Sequence, residues 1–330
     1  MEIRPSLKDI PAVRVKPAKG VDDDFRYILD AHSPVNAVQE AVRCLDLAAA
    51  ALPGPAKTAG DYPFPTIRAR LRGMLDALSV GRENFKRAAA DKSASRAALR
   101  EIVGSGAMDH PPAKRWAMTF QKIELIIGAR VAELLERWTK GHVVGTFSQD
   151  EVRAMLQGVL GVISEVSQSG AEPFGVSFDP DHRGPDDYLV RFSMTGPDGG
   201  DKVTMPEILR DVVRDLTCNA RKYSAPGSEI SVRVDEDDDG VSLEVEDQGI
   251  GISLLDFRRI GEAGYRGAAA SRLKSGHGFG LAKACVVAEV WGGTVEFRSL
   301  PDVGAIFCVR IPKPYKAKSA PSDALIPVAK

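Results

Sequence analysis

The sequence predicts an α+β fold, an N-terminal α-helical bundle followed by an α/β sandwich whose mixed sheet is covered on one face by helices. Two observations carry this. From Phe25 to about Ser167 the apolar residues recur at helical spacing. After Gly170 they alternate at strand spacing between Pro, Asp and Gly turns. A third observation concerns function: two glycine clusters, "QGIG" and "GHGFG", interrupt the second region.

Residues 1–22 are Pro/Lys-rich and aperiodic, and are expected to be a flexible arm. Residues 23–170 are expected to form the bundle, for dimerisation or docking. Its first stripe is Phe25, Ile28, Leu29, Val35, Val38, Val42 and Leu45; "LPGPAKTAGDYPFP" (52–65) breaks it. Ile67, Leu71, Met74, Leu75 and Leu78 form the second, and a shorter segment near 94–103 ends at Gly104. "MDHPPAKRW" restarts the chain, and Trp116, Ile123, Ile127, Val131, Leu134, Leu135 and Trp138 form a long third stripe. "KGHVVGTFSQDE" reads as a turn. Ser148 and Glu151 then make a capping box for a helix to about Ser167.

In the second region, Val176–Phe178 and Tyr188–Met194 read as strands. Pro206 suits the first turn of a helix reaching Tyr223. "EISVRV" and "VSLEVED" form a hairpin joined by "DEDDDG" (235–240), read as a solvated acidic turn rather than a cation site. A helix over 281–290 and a hairpin from "GGTVEFRS" and "GAIFCVRIP" follow, and residues 315–330 are expected to be disordered.

Composition removes several classes of function. A chain of 330 residues suits about two domains. A net charge of −1 offers no overall attraction to nucleic acid or an anionic membrane, so neither is expected as a partner. Cys44, Cys218, Cys285 and Cys308 show no CxxC pairing, which suits a reducing compartment and no structural metal. No apolar run approaches the ~18 residues of a membrane span, and the start lacks a signal-peptide pattern. The expectation is a cytoplasmic protein without direct membrane insertion.

The glycine clusters fit neither common phosphate loop. No GxxxxGK[ST] string exists, and "GHGFGL" has alternate glycines after an Arg-rich stretch instead of following a strand. "VEDQGIGIS" ends a strand with Asp247, Gly249 and Gly251. A carboxylate there can accept from an exocyclic amine while bare backbone admits a base plane; an ordinary Asp-Gly turn is the alternative. In "MPEILRDVVRDLTCNARKYSAPG" (205–227), Asp211, Asp215, Asn219 and Lys222 share one helix face, beside an apolar face of Leu209, Val213, Leu216, Ala220 and Tyr223. The amide oxygen of Asn219 can ligate hydrated Mg²⁺, and Lys222 can add charge toward phosphates. An ion-paired surface helix is the alternative.

Together and in order, "LTCNARKYS", "EDQGIGI" and "GHGFGLA" resemble the N, G1 and G2 boxes of the GHKL ATPase superfamily, which includes histidine kinases, DNA gyrase, mismatch-repair ATPases and heat-shock chaperones. The NA-x-K-Y-S form is similar to that of sensor histidine kinases of two-component systems, and "DFRRIGEAGYRG" (256–267) resembles their F box. The resemblance covers roughly 175–314, within an expected ATP-binding domain of 171–314. It implies ATP and Mg²⁺ as cofactors. Asn219 would ligate Mg²⁺, with Asp215 one turn behind it. Lys222 would approach the phosphates, Tyr223 would flank the adenine and Asp247 would read its amine, with Gly249 and Gly251 permitting close approach. Gly276, His277, Gly278, Phe279, Gly280 and Leu281 would form the lid over the phosphates, ahead of a helix N-terminus. Arg266, Arg272 and Lys274 are either γ-phosphate contacts or solvated loop charges.

The resemblance implies a histidine-kinase-like phosphotransferase in signal transduction, a homodimer through its helices. A response regulator or another protein would take the phosphoryl group. His32, in "FRYILDAHSPVNAVQEAVRCL", is the candidate phosphoacceptor, with Phe25 seven residues before it. It departs from the family pattern: Ser33 stands where an acid is expected and Pro34 comes early. A helix-surface or core histidine is the alternative. Other readings are a protein-serine kinase resembling mitochondrial dehydrogenase kinases, a GHKL ATPase switch, and a nucleotide-binding scaffold.

Overall fold

The computed structural model describes residues 6–15, 34, 37–38, 41–42, 65–80, 82–90, 100, 109, 111–167, 173–273 and 278–316. The chain divides into two compact units, residues 22–141 with 158–173, and residues 1–21 with 142–157 and 174–330.

The first unit is helical. α1 (Pro65–Val80), α2 (Arg82–Ala90) and α3 (Pro111–Lys140) belong to it. Pro111 and Pro112 open α3, where a missing N–H costs no intrahelical bond. Among the described residues the predicted stripes meet in one core, Val38 of the first, Ile67, Leu71 and Met74 of the second, and Ile123, Ile127, Val131 and Leu134 of the third. They are joined by Ala41 and Phe120, which the periodicity did not single out; Phe25, Ile28, Leu29, Val35 and Leu45 lie outside the described residues. Val162 and Val166 join them from the second half of α4 (Gln149–Ser167). Trp138 meets Phe85 edge-on at 6.0 Å. Beside the core, Glu165 accepts from Thr119 Oγ1 at 3.0 Å and pairs with Lys122.

The second unit is built on a sheet of seven strands among the described residues, in the order β1-β8-β9-β7-β6-β4-β3. The strands are β1 (Val13–Arg14), β3 (Val176–Ser177), β4 (Tyr188–Thr195), β6 (Glu229–Glu236), β7 (Gly240–Asp247), β8 (Thr294–Leu300) and β9 (Gly304–Pro312). β3–β4 and β4–β6 are parallel and the other pairs antiparallel, so the sheet is mixed, as predicted. Alternation places Ile230, Val232 and Val234 of β6 on the same buried face as Val241, Leu243 and Val245 of β7. α5 (Leu209–Tyr223) and α7 (Gly280–Val290) pack on the sheet and on each other. Between them lies the short α6 (Ala268–Leu273). The acidic "DEDDDG" is a hairpin end, with Asp237 Oδ1 accepting the N–H groups of Asp239 and Gly240.

Three local readings change. Leu7–Asp9 form a 3-10 turn, and β1 hydrogen-bonds to β8, so this part of the predicted arm is ordered. The free edge of β8 supplies the partner: Val15 N–H donates to Val295 O at 2.8 Å. The predicted turn at 140–151 contains β2 (Val144–Ser148), which pairs with β5 (Lys202–Pro206) in a separate two-stranded sheet. Pro206 therefore closes a strand, where its missing N–H is tolerated, and α5 starts at Leu209. The capping box forms as read: Ser148 N–H donates to Glu151 Oε2 at 2.7 Å and Glu151 N–H to Ser148 Oγ at 3.3 Å.

Phe297 of β8 is buried between Phe257, edge-on at 4.8 Å, and Phe307, stacked at 6.0 Å. Phe297→Ala is expected to lower unfolding free energy by about 3–5 kcal/mol in urea titrations, because the ring vacates a filled site.

Candidate nucleotide site

The site is organised around the last two turns of α5. Asn219, Lys222 and Tyr223 sit there, each partly buried. From the sheet, Asp247 ends β7 and lies buried, its Oδ1 accepting the N–H groups of Gly249 at 2.8 Å and Ala305 at 3.2 Å. The loop after it crosses the end of α5. Ile250 N–H donates to Tyr223 O at 3.2 Å, and a Cβ on Gly249 would lie 2.6 Å from that same oxygen. Only glycine allows this approach. Gly251, at φ +64°, turns the chain away with no room for a side chain beside Leu300 O.

The second glycine cluster reaches the same helix from the other side. Gly278, at φ +71°, accepts Gly264 N–H at 3.2 Å through its carbonyl. A Cβ on Gly280 would stand 3.0 Å from Asn219 Nδ2 and 3.7 Å from Asp215 Cβ. The N-terminus of α7 is thus held against Asn219. Phe279 precedes this helix without a side-chain cap, and Leu281 is partly buried in its first turn. The first N–H groups of α7 have no partner within the helix and suit an anion. Of the predicted site residues, Asn219, Tyr223, Asp247, Gly249 and Gly280 are brought together around one helix end. His32, Gly276 and His277 lie outside the described residues, as does Lys274.

Cations gather beside Lys222. Burial, reinforced by repulsion from Arg266 and Arg221, lowers the Lys222 ammonium to a pKa of about 8. Arg266 is partly buried and donates to Ala270 O at 2.6 Å, whereas Arg272 is exposed. The sequence reading left these two arginines equivalent; their burial separates them.

Behind Asn219 the polar row of α5 turns inward. Arg214 donates to Asp211 Oδ1 at 2.8 Å and to Asp215 Oδ1 at 2.9 Å. Lys283 of α7 donates to Asp211 Oδ2 at 3.1 Å, with Asp215 Oδ2 at 3.7 Å. Burial opposes the Arg214 charge, but Asp215 and Asp211 outweigh it and hold the guanidinium above its ordinary pKa. Sequence reading missed Arg214 and Lys283. The available signal was a lone lysine in the apolar run "GLAKACVVAEV".

Known proteins resemble this region of the chain. Residues 204–315 match the family model of histidine kinase-, DNA gyrase B- and HSP90-like ATPases. This part of the chain is a GHKL ATPase domain. Sensor protein SrrB of Staphylococcus aureus is 33% identical over 104 residues, which are 31% of this chain and 18% of SrrB. The chain therefore spans less than a fifth of the length of the curated relatives it matches. Among solved structures, the mycobacterial sensor histidine kinase MprB is similar at 20% identity, covering 52% of this chain and 97% of that one with a TM-score of 0.35. Acinetobacter baumannii histidine kinase AdeS is similar at 15% identity, covering 76% and 94% with a TM-score of 0.34.

Within the ATPase domain, burial raises Asp247 to a pKa of about 7, against the backbone hydrogen bonds that favour its charge. Between the ordinary 3.8 and about 7 the folded domain holds a proton that the unfolded chain has released. Stability from this group is therefore present at low pH and lost as pH rises through that window. In melting curves between pH 5 and 8, Asp247→Asn is expected to reduce that loss. Gly280→Ala is expected to leave the melting temperature nearly unchanged and to weaken Mg-ATP binding about 10- to 100-fold, because the new methyl group displaces the Asn219 amide. Calorimetric titration of the folded variant checks this.

Proposed function

We propose that the chain is an ATP-dependent protein phosphotransferase of the histidine-kinase kind. It binds Mg-ATP at the end of α5 and passes the γ-phosphoryl group to a protein acceptor in signal transduction. The observation that carries this is the contact of both glycine loops with one helix, Gly249 at Tyr223 and Gly280 beside Asn219.

The residues present fit the nucleotide and its metal. Asp247 commits one oxygen to two backbone donors, which leaves the other to accept an adenine amine. Gly249, with its Cβ position taken up by Tyr223 O, lets the loop after Asp247 lie against the end of α5. Lys222 and Arg266 supply positive charge toward the phosphates, and the Asn219 amide oxygen is a hard ligand suited to Mg²⁺. Bound ATP supplies the phosphoryl group, and Mg²⁺ spreads the charge that develops on its oxygens. The chain's own work is positional: Asp247 orients the base, Asn219 holds the metal, and the α7 N-terminus faces the phosphates.

Transfer is favoured over hydrolysis by the state of Asp215. In the gyrase-like branch a glutamate at this place activates water; here Asp215 is shorter and engaged by Arg214 and Lys283. The acceptor we propose is His32, in a homodimer of the helical region, with a response regulator as onward partner. No helix among the described residues is long and apolar enough to cross a membrane.

Incubation with γ-labelled ATP and Mg²⁺ tests the proposal. Protein-bound label lost in acid, kept in base and absent from His32→Ala is the expected result. Acid-stable label would mean a serine or threonine acceptor, and free phosphate alone an ATPase. Asn219→Ala is expected to abolish Mg²⁺-dependent turnover. Asp247→Asn is expected to turn an amide donor toward the base, since its carbonyl oxygen keeps the backbone bonds. ATP affinity then falls and GTP affinity rises, measured by competition binding.

A further inference from the structure

α5 and α7 are joined by charge deep in the domain. The side chains of Asp211, Arg214, Asp215 and Lys283 are each less than a tenth exposed, and Lys283 only 2%. Two cations face two carboxylates, so the group is balanced. Lys283 follows Gly280 by three residues and therefore lies on the same face of α7, one turn on. Gly280 rests on Asn219 and Asp215, while Lys283 reaches Asp215 and Asp211. Each step forward along α7 is thus a step back along α5. The lysine fixes the sliding register of the helix that follows the lid on the helix that carries Asn219.

Stability alone does not account for this arrangement. Lys283 is the one charged side chain in the buried run Ala282–Ala288. Well-packed apolar residues replace buried ion pairs without loss, and often with gain, of stability. Apolar helix faces tolerate small slides, whereas a 3.1 Å hydrogen bond between Lys283 Nζ and Asp211 Oδ2 sets one position. The distance it sets is that of the α7 N-terminus from the Asn219 amide. Those two groups must act together on a metal-bound phosphate.

We propose that Lys283, with Arg214, is a positioning residue for Mg-ATP, holding the lid's helix at working distance from Asn219. This rests on reading the site as a Mg-ATP site. In this role Lys283 makes no contact with nucleotide; it acts through the carboxylates of α5.

The test compares two ligands on the full chain. Adenosine, titrated by NMR, probes the Asp247–Gly249 loop alone, and Mg-ATP, titrated by calorimetry, probes the whole site. Two variants are used: Lys283→Met, and the charge-balanced Lys283→Met/Asp211→Asn, which leaves the Arg214–Asp215 pair intact. Both are expected to keep adenosine affinity and to lose Mg-ATP affinity about 10- to 100-fold. The double variant is expected to melt close to the parent protein. Unchanged Mg-ATP affinity in the double variant would overturn the proposal, since charge balance alone would then be what matters. Loss of adenosine and Mg-ATP binding together in both variants would also overturn it, by showing that the cluster holds the fold. Failure of the parent protein to bind either ligand would instead reject the nucleotide reading.

Discussion

The carbonyl oxygen of Tyr223, at the end of α5, is the point on which the second unit depends. It accepts the Ile250 N–H, and Gly249 passes so close that a methyl group would collide with it. This fixes the strand-end loop of β7 to the helix that crosses the sheet. Strand β7 is in turn paired on both sides, with β6 and β9, so the loop starts from one of the most constrained places in the sheet. The buried Asp247 carboxylate is held on the same scaffold by a backbone donor from its own loop and one from β9. The sheet thus presents one carboxylate, and the helix end presents one amide.

Charge is distributed unevenly around this centre. On the side of β7, burial of the Asp247 carboxylate raises its affinity for a proton. On the side of the second glycine cluster, Lys222 sits near Arg266 and Arg221, and its affinity for a proton falls. Both shifts have burial as their largest cause, reinforced by charges of the same sign nearby. Behind Asn219 the opposite holds: Asp211, Arg214, Asp215 and Lys283 satisfy one another. Burial thus moves Asp247 and Lys222 away from their charged forms, while the charges between α5 and α7 neutralise one another.

Much of this was legible in the sequence. The helical stripes of the first unit reappear as its core, because burying one face of a helix leaves a period that no tertiary detail can erase. The strands β4, β6 and β7 follow their alternation to within a residue or two. The N, G1 and G2 boxes were readable because glycine and asparagine at fixed spacing answer local demands: a positive φ at Gly251 and Gly278, a close approach at Gly249. Strands β1 and β2 were not legible. Each is short, and each exists because a distant edge offers unpaired backbone, β8 to Val13–Arg14 and β5 to Val144–Ser148.

The sequence by itself determined the order of helices and sheet, many of the residues that face the core, and the residue types required at tight turns and close approaches of the chain. Those features are set by local periodicity and by which side chains a turn can hold. Only the tertiary structure decided which charges matter. Arg266 and Arg272 look alike in one dimension, and Lys283 looks like an accident in an apolar helix. Folding buries one arginine beside Lys222, exposes the other, and seats Lys283 against two carboxylates some seventy residues away in the chain. The worth of a charge depends on its surroundings, and those surroundings come from segments the chain brings together only when it folds.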